Sequence, residues 1–401
     1  MRPRAGPIAL ALLCLFGCSS SGEPTSQDPS ISAAADVALL VERIEAVHPD
    51  PWHAISERDF RAAARRLHAR IGSLNRDERL VELMRLTALL GERDGHSGIF
   101  PLDETHDRPL HLYPIRLFRF SDGYFVVDAI GRRDLVGARL VSIGGRPVDV
   151  VAQAVRPLVP ADNEMSRRAR LAEYVVVAEV LRGLGLRDHR LGFDRGSVRL
   201  DPVEAEAWAE AFAELAWHPM IPPGLPSSEE PWSVRSRGRA VYAAYNVTLG
   251  DPSDFAHEIA RRARAADRVV LDVRNNPGGD NGTYPPLLDA LAKLQAPLYV
   301  LIGRGTFSAA GNFITELERT SEVVFVGEPS GGAPNQWGDP VPVSLPATGW
   351  TAHVASVYWE KSEPNDPRLA IDPDTPVETS SADYFGGRDP VLTAALRRAP
   401  R

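Results

Sequence analysis

Two residue types are almost missing from this chain. Of its 401 residues only two are cysteine, at positions 14 and 18, and only two are lysine, at positions 293 and 361. Both cysteines fall in an N-terminal stretch that reads as a secretion signal. The remainder therefore has no disulfide framework and no thiolate metal site. With so few lysines, an ammonium group is hard to recruit as a catalytic base, although arginine is abundant. No block of Lys and Arg forms a basic stripe and the net charge is −8, which argues against a nucleic-acid surface. No repeat of solenoid length is visible. What is present is 44% apolar residues, enough for at least one large core and for two or three subdomains.

Arg2 and Arg4 precede the apolar run Ile8–Phe16 and then Gly17-Cys18, the pattern of an export signal over residues 1–18. Leu15-Phe16-Gly17-Cys18 resembles a bacterial lipobox. That resemblance implies a lipidated Cys18 and a location in the cell envelope, anchored to a membrane. An ordinary signal cleaved elsewhere is the alternative. Residues 19–35, rich in Ser, Pro and Ala, read as a tether.

Residues 36–106 carry three amphipathic helix patterns. The first places Val37, Leu40, Val41, Ile44 and Val47 on one face and is stopped by Pro49 and Pro51. Ser56 caps the second, which ends at Gly72, and Asn75 with Glu78 predicts a capping box opening the third. The glycine-flanked loop Asp94-Gly95-His96-Ser97-Gly98 follows. Residues 107–160 change to short apolar runs with turn residues, a β-rich segment that is partly PDZ-like. Residues 161–235 are helical by pattern over 161–186 and 202–217, and then become a Pro/Gly/Ser-rich linker.

In residues 236–401, Val269–Val273, Leu298–Ile302 and Val323–Val326 alternate with helical patterns, as buried parallel strands with crossover helices do. Right-handed crossovers bring the loops after the first two strands to one carboxyl edge. One loop is Asn275-Asn276-Pro277-Gly278-Gly279 and the other ends in Thr306-Phe307-Ser308. Ser308 leads a helix, where unsatisfied N–H groups and the helix dipole favour a developing anion. It is also open to a simple reading as an N-cap, although Gly311 stands where a capping box needs Glu or Gln. Gly278 and Gly279 can turn their amides towards the same place and, with Ala309, form an oxyanion hole.

In order and spacing, LDVRNNPGG, IGRGTFSAA and VGEPSGG resemble the core of the S41 serine peptidases, the group of C-terminal processing and tricorn-type proteases and retinol-binding repeats. The resemblance extends to the Asp94-Gly95-His96 loop and to the tail around Ala382-Asp383-Tyr384 and Gly387-Arg388-Asp389-Pro390. It implies an α/β chain with a crotonase- and Clp-like ββα-spiral catalytic domain and an N-terminal helical lobe. It also implies Ser308 as nucleophile, Gly278 or Gly279 with Ala309 as oxyanion donors, and no metal or organic cofactor. The Ser–Lys dyad of the processing branch has no lysine in Gly331-Gly332-Ala333-Pro334-Asn335-Gln336, so the tricorn-like branch applies, with His96 as base. His48 and His53 compete with His96 and are taken as structural, being poorly spaced for a metal. By spacing from Pro373-Asp374, Asp366 is the acidic partner and Glu363 the next choice. The tricorn pattern has a serine before its histidine; here Gly95 stands there and Ser97 follows. The expected activity is peptide-bond hydrolysis on a peptide or protein substrate through an acyl-enzyme. A non-catalytic lipid or peptide carrier on the same scaffold and a thioesterase-like acyl hydrolase are the alternatives.

Overall fold

Helices α1 (Ala33–Val47), α2 (Glu57–Arg70) and α3 (Arg76–Thr87) open the chain in the computed structural model, which describes residues 32–188, 190–212 and 230–398. Cys18, the signal, most of the tether and part of the 221–231 linker lie outside the described residues. The capping box is formed in both directions. Asn75 Oδ1 accepts from Glu78 N at 3.0 Å and Glu78 accepts from Asn75 N at 2.9 Å. Such a cap contributes about 1 kcal/mol. The apolar faces of the three helices (Leu40, Ile44, Phe60, Leu67, Leu83, Met84) are buried in one core.

The hairpin of β1 (Ile115–Phe120) and β2 (Gly123–Ala129) follows. Two departures from the sequence pattern come next. Val148–Val155 is helical, because Val148, Val151, Ala152 and Val155 recur at helical spacing and are buried. The long helical pattern 161–186 is split into α4 (Glu164–Tyr174) and Ala178–Gly183. The break falls at Val175-Val176-Val177, where three consecutive β-branched residues disfavour a continued helix; all three are fully buried.

The C-terminal half is built on a six-stranded sheet formed by β3 (Trp232–Arg237), β4 (Ala240–Tyr245), β5 (Arg268–Asp272), β6 (Leu298–Ile302), β7 (Val323–Gly327) and β10 (Thr375–Pro376). From one edge it runs β10-β7-β6-β5-β4-β3, parallel throughout except for β3. Period-two alternation sorts its side chains. Val269, Leu271 and Val273 face the core shared with α5 (Ser253–Ala263), α6 (Pro285–Leu291) and α7 (Ala309–Thr320), and Val270 faces α8 (Pro390–Arg397).

A second hairpin, β8 (Asn335–Leu345) with β9 (Trp350–Glu360), pairs over nearly its whole length. Its far half (Val343, Leu345, Trp350, Ala352, Val354) enters the core of the N-terminal helices. This hairpin joins the two halves of the molecule and carries one into register with the other.

Candidate active site

The strand β5 ends in Asp272, whose carboxylate takes the Arg274 guanidinium at 2.9 and 2.6 Å. Arg274 also reaches Asp389, the N-cap of α8, at 3.0 and 2.7 Å, and Tyr242 Oη donates to Asp272 at 2.8 Å. Arg274 and its two carboxylates are buried. The carboxylates hold Arg274 well above its usual range against the opposing effect of burial. This pairing explains why LDVR and the tail RDP are both needed: together they fix the start of the next loop.

That loop is shaped by Asn276, which is fully buried. Its Nδ2 donates to Tyr245 O at 3.1 Å, and its Oδ1 accepts from Gly278 N at 3.0 Å. Gly278 has φ +108 and packs so closely that a Cβ there would lie 2.6 Å from Ser308 Cβ and 2.8 Å from Ala309 N. Of the three backbone amides expected to bind an oxyanion, Gly278 N is thus already committed to Asn276. Gly279 N and Ala309 N have no protein acceptor among the described residues, and Gly279 is exposed. Gly278 thus gives Ser308 clearance, while the amides of Gly279 and Ala309 are left open.

Ser308 sits at the N-terminus of α7 with φ 53 and ψ −127, a region costly for a non-glycine residue by roughly 1–3 kcal/mol. Its side chain makes no cap hydrogen bond. Instead Oγ lies 3.0 Å from His96 Nε2, so the simple N-cap reading does not hold. The helix start is supported from outside: Gln336 Nε2 donates to Ser308 O at 3.0 Å and to Asn312 Oδ1 at 2.9 Å, and Asn312 Nδ2 donates to Asn281 at 2.8 Å. Lys361 is engaged by Glu316 and Lys293 is exposed; neither is a partner of Ser308.

His96 is buried and stacks on Phe307, ring centroids 4.7 Å apart and 21° between planes. Its loop is bonded to hairpin β8–β9 through Trp337 N to Arg93 O (2.8 Å), the mutual pair Gly98 N to His353 O (3.0 Å) and His353 N to Gly98 O (2.8 Å), and Ala355 N to Ser97 Oγ (2.9 Å). Asp162, fully buried, accepts from Gly95 N at 2.6 Å and from Ala333 N at 3.2 Å. A Cβ on Gly95 would meet Asp162 Oδ1 at 2.8 Å and Phe307 Cζ at 2.9 Å, which accounts for glycine where the tricorn pattern has serine. Arg170 Nη1 donates to Gly95 O at 2.6 Å and its guanidinium stands 4.9 Å from the Phe307 centroid. Sequence reasoning missed Asp162, Arg170 and Gln336, because nothing in their local pattern marks them.

Burial pushes His96 down to about 4, helped by the Arg170 charge and opposed by Asp94 and the Trp337 backbone. The expected acid is not beside it. Asp366 is bound by Arg368 (2.8–3.1 Å) and Ser362 (2.5 Å), which lower its pKa, and Glu363 is an exposed residue 3.5 Å from Arg319. Arg368, five residues upstream of the Pro-Asp pair at 373–374, captures the carboxylate that spacing alone assigns to the histidine. The buried carboxylate whose charge reaches His96 is Asp94, two residues before it. Asp94 Oδ1 accepts from Ser97 N at 2.9 Å, and Oδ2 lies 3.3 Å from His48 Nε2. His48 Nδ1 accepts from Asp50 N at 3.1 Å, while His48 Nε2 and Asp94 Oδ2 make no hydrogen bond among the described residues. His53 stacks on His48 at 5.4 Å. No group of three or more metal-binding side chains occurs among the described residues.

No family model matches the sequence, and no curated protein matches it. Solved structures do. Mature CPAF complexed with lactacystin aligns with a TM-score of 0.62 at 13% identity, over 89% of this chain and 95% of that one. A second structure of mature CPAF gives 0.61 at 14% identity, over 91% and 96%. The photosystem II D1 C-terminal processing protease is more distant, at 0.43. The chain shares the overall fold of mature CPAF. Its architecture is α/β, as the sequence implied.

Proposed function

We propose that this protein is a serine peptidase that hydrolyses peptide bonds through an acyl-enzyme on Ser308. One observation carries the proposal: a hydroxyl and an imidazole from segments 212 residues apart meet at 3.0 Å, with the hydroxyl on a strained helix start. Neutral His96, protonated on Nδ1, accepts the Ser308 proton on Nε2 as Oγ attacks the substrate carbonyl. Negative charge on the carbonyl oxygen is met by Gly279 N and Ala309 N, an arrangement that typically contributes about 3 kcal/mol per donor. The imidazolium then protonates the leaving amine, and a water activated by the same nitrogen hydrolyses the ester. Asp94 offsets the imidazolium charge without bonding to the ring, in the role first assigned to Asp366. A lipidated Cys18 would hold the enzyme in the cell envelope, on a membrane.

The test is a soluble form lacking residues 1–31. A fluorophosphonate probe should label it, Ser308→Ala should abolish both labelling and cleavage of a peptide library, and His96→Gln should reduce both. Labelling that persists in Ser308→Ala would overturn the assignment. No labelling of the native protein would favour the carrier, and turnover of acyl thioesters in preference to peptides would favour the thioesterase.

A further inference from the structure

At the end of hairpin β8–β9 away from Ser308, the turn Ala347-Thr348-Gly349-Trp350 faces the first turn of α3 and the loop carrying Arg108. Together they enclose a pocket of about 160 Å³ lined by Arg76, Arg79, Arg108, Thr348, Gly349 and Trp350. We propose that this pocket is a binding site for a phosphate group.

Three guanidinium groups converge there without a matching set of carboxylates. Arg76 lies 4.4 Å from the centroid of the Trp350 ring, and its Nη2 is buried without an acceptor. Trp350 is 1% exposed, and its indole Nε1–H is also buried with no acceptor. An unmet buried donor costs about 1–3 kcal/mol, and both residues that carry one border this pocket. Burial pushes the Arg76 pKa down against the opposing charge of Glu179, and the positive charge of Arg108 adds to the lowering.

The neighbouring acids are largely engaged elsewhere. Asp77 and Glu179 bind Arg182 at 2.6 and 2.9 Å, and the Asp36 carboxylate accepts from Ala347 N and Thr348 N at 3.2 and 2.7 Å. Asp107 stands at the rim beside Gly349. Arg79 is partly satisfied by Ile71 O and Gly72 O, both at 3.1 Å. A multiply charged oxyanion would satisfy the Arg76 and Trp350 donors and relieve the repulsion, and forked guanidinium groups suit phosphate oxygens. The volume accommodates a phosphate but not a folded peptide. Nine residue steps along the strand lead from Gln336 to the hairpin end at Leu345, roughly 30 Å, so this site is separate from the one at Ser308.

The test is calorimetric titration of the soluble protein with inorganic phosphate at constant ionic strength, with chloride and acetate as controls. A parallel arm uses vesicles with and without phosphatidic acid. Saturable phosphate binding that weakens about tenfold or more in Arg108→Ala and in Trp350→Phe is expected. Arg108 is exposed, so its variant should fold normally. Binding to phosphatidic acid vesicles that is also lost in Arg108→Ala would identify a lipid headgroup as the source; binding to inorganic phosphate alone would identify a free anion. No phosphate binding above the chloride control, or equal affinity in Arg108→Ala, would overturn the proposal.

Discussion

Gly278→Ala tests the geometry of the nucleophile most directly, because the substitution adds one methyl group and removes no reacting atom. The methyl carbon would lie 2.6 Å from Ser308 Cβ, where ordinary contact begins at 3.4 Å. The overlap is 3.4 − 2.6, about 0.8 Å, and Ala309 N at 2.8 Å and Phe307 O at 2.9 Å block retreat on the other sides. Ser308 or the loop must therefore shift by most of an ångström, and a displacement near 1 Å typically lowers a catalytic rate by about 10²-fold. The φ of +108 adds backbone strain of about 1–3 kcal/mol, which for a chain of this size lowers Tm by a few degrees. The assay is kcat on a chromogenic peptide, normalised to fluorophosphonate-titrated sites, with a melting curve for each preparation. Gly282→Ala is the control: its nearest neighbour is a side-chain oxygen at 3.1 Å and its φ lies outside the positive range. Should Gly278→Ala turn over within threefold of the native protein, the close packing of the glycine loop against Ser308 would be irrelevant to catalysis.

Further expectations follow from the same site. His96 acts as a base only when neutral, and its pKa is pushed to about 4, so kcat/KM should stay level from neutrality down to about pH 5 and fall below that. Arg170→Gln should move the acid limb upward and Asp94→Asn downward, which a pH–rate profile reads directly; a limb at pH 6.5 would contradict the buried setting of the imidazole. Asp94→Asn should also lower kcat on the order of 10–100-fold, less than the ~10⁴-fold loss for a triad carboxylate bonded to its histidine. Asp366→Asn should leave kcat nearly unchanged, and the reverse ranking would restore Asp366 as the acid. Arg274→Met strands two buried carboxylates and should cost about 3–5 kcal/mol in denaturant unfolding.

The central β-α-β-α-β unit was legible because a parallel sheet buried on both faces leaves continuous apolar strands, and because glycine and proline punctuate its loops. Ser308 and His96 were legible through their neighbours: a Pro-Gly-Gly turn at the same edge and a glycine-flanked loop. The β8–β9 hairpin was not. Its first strand reads NQWGDPVPVSL, with Gly338, Pro340 and Pro342 where strand propensity is lowest. These residues are tolerated because, among the described residues, β8 pairs with no strand but β9, so an N–H is dispensable on the other side. The acidic partner was misassigned for a different reason. Spacing along the chain carries no information about a competing cation, and Arg368 lies two residues from Asp366. Asp162 illustrates the general limit. Its two amide donors come from positions 95 and 333, a convergence that only the fold produces.

The imidazole's loop runs between Leu90 and Ile99 of one hydrophobic core and the hydroxyl's helix carries Phe313 and Ile314 of another, the two joined by the hairpin and by contacts such as Asp162 with Ala333 and His96 on Phe307. The 3.0 Å between them is thus governed by a seam and not by either interior. Mild urea that loosens this seam would silence turnover while the circular dichroism of both halves persists, making enzymatic inactivation an earlier event than unfolding.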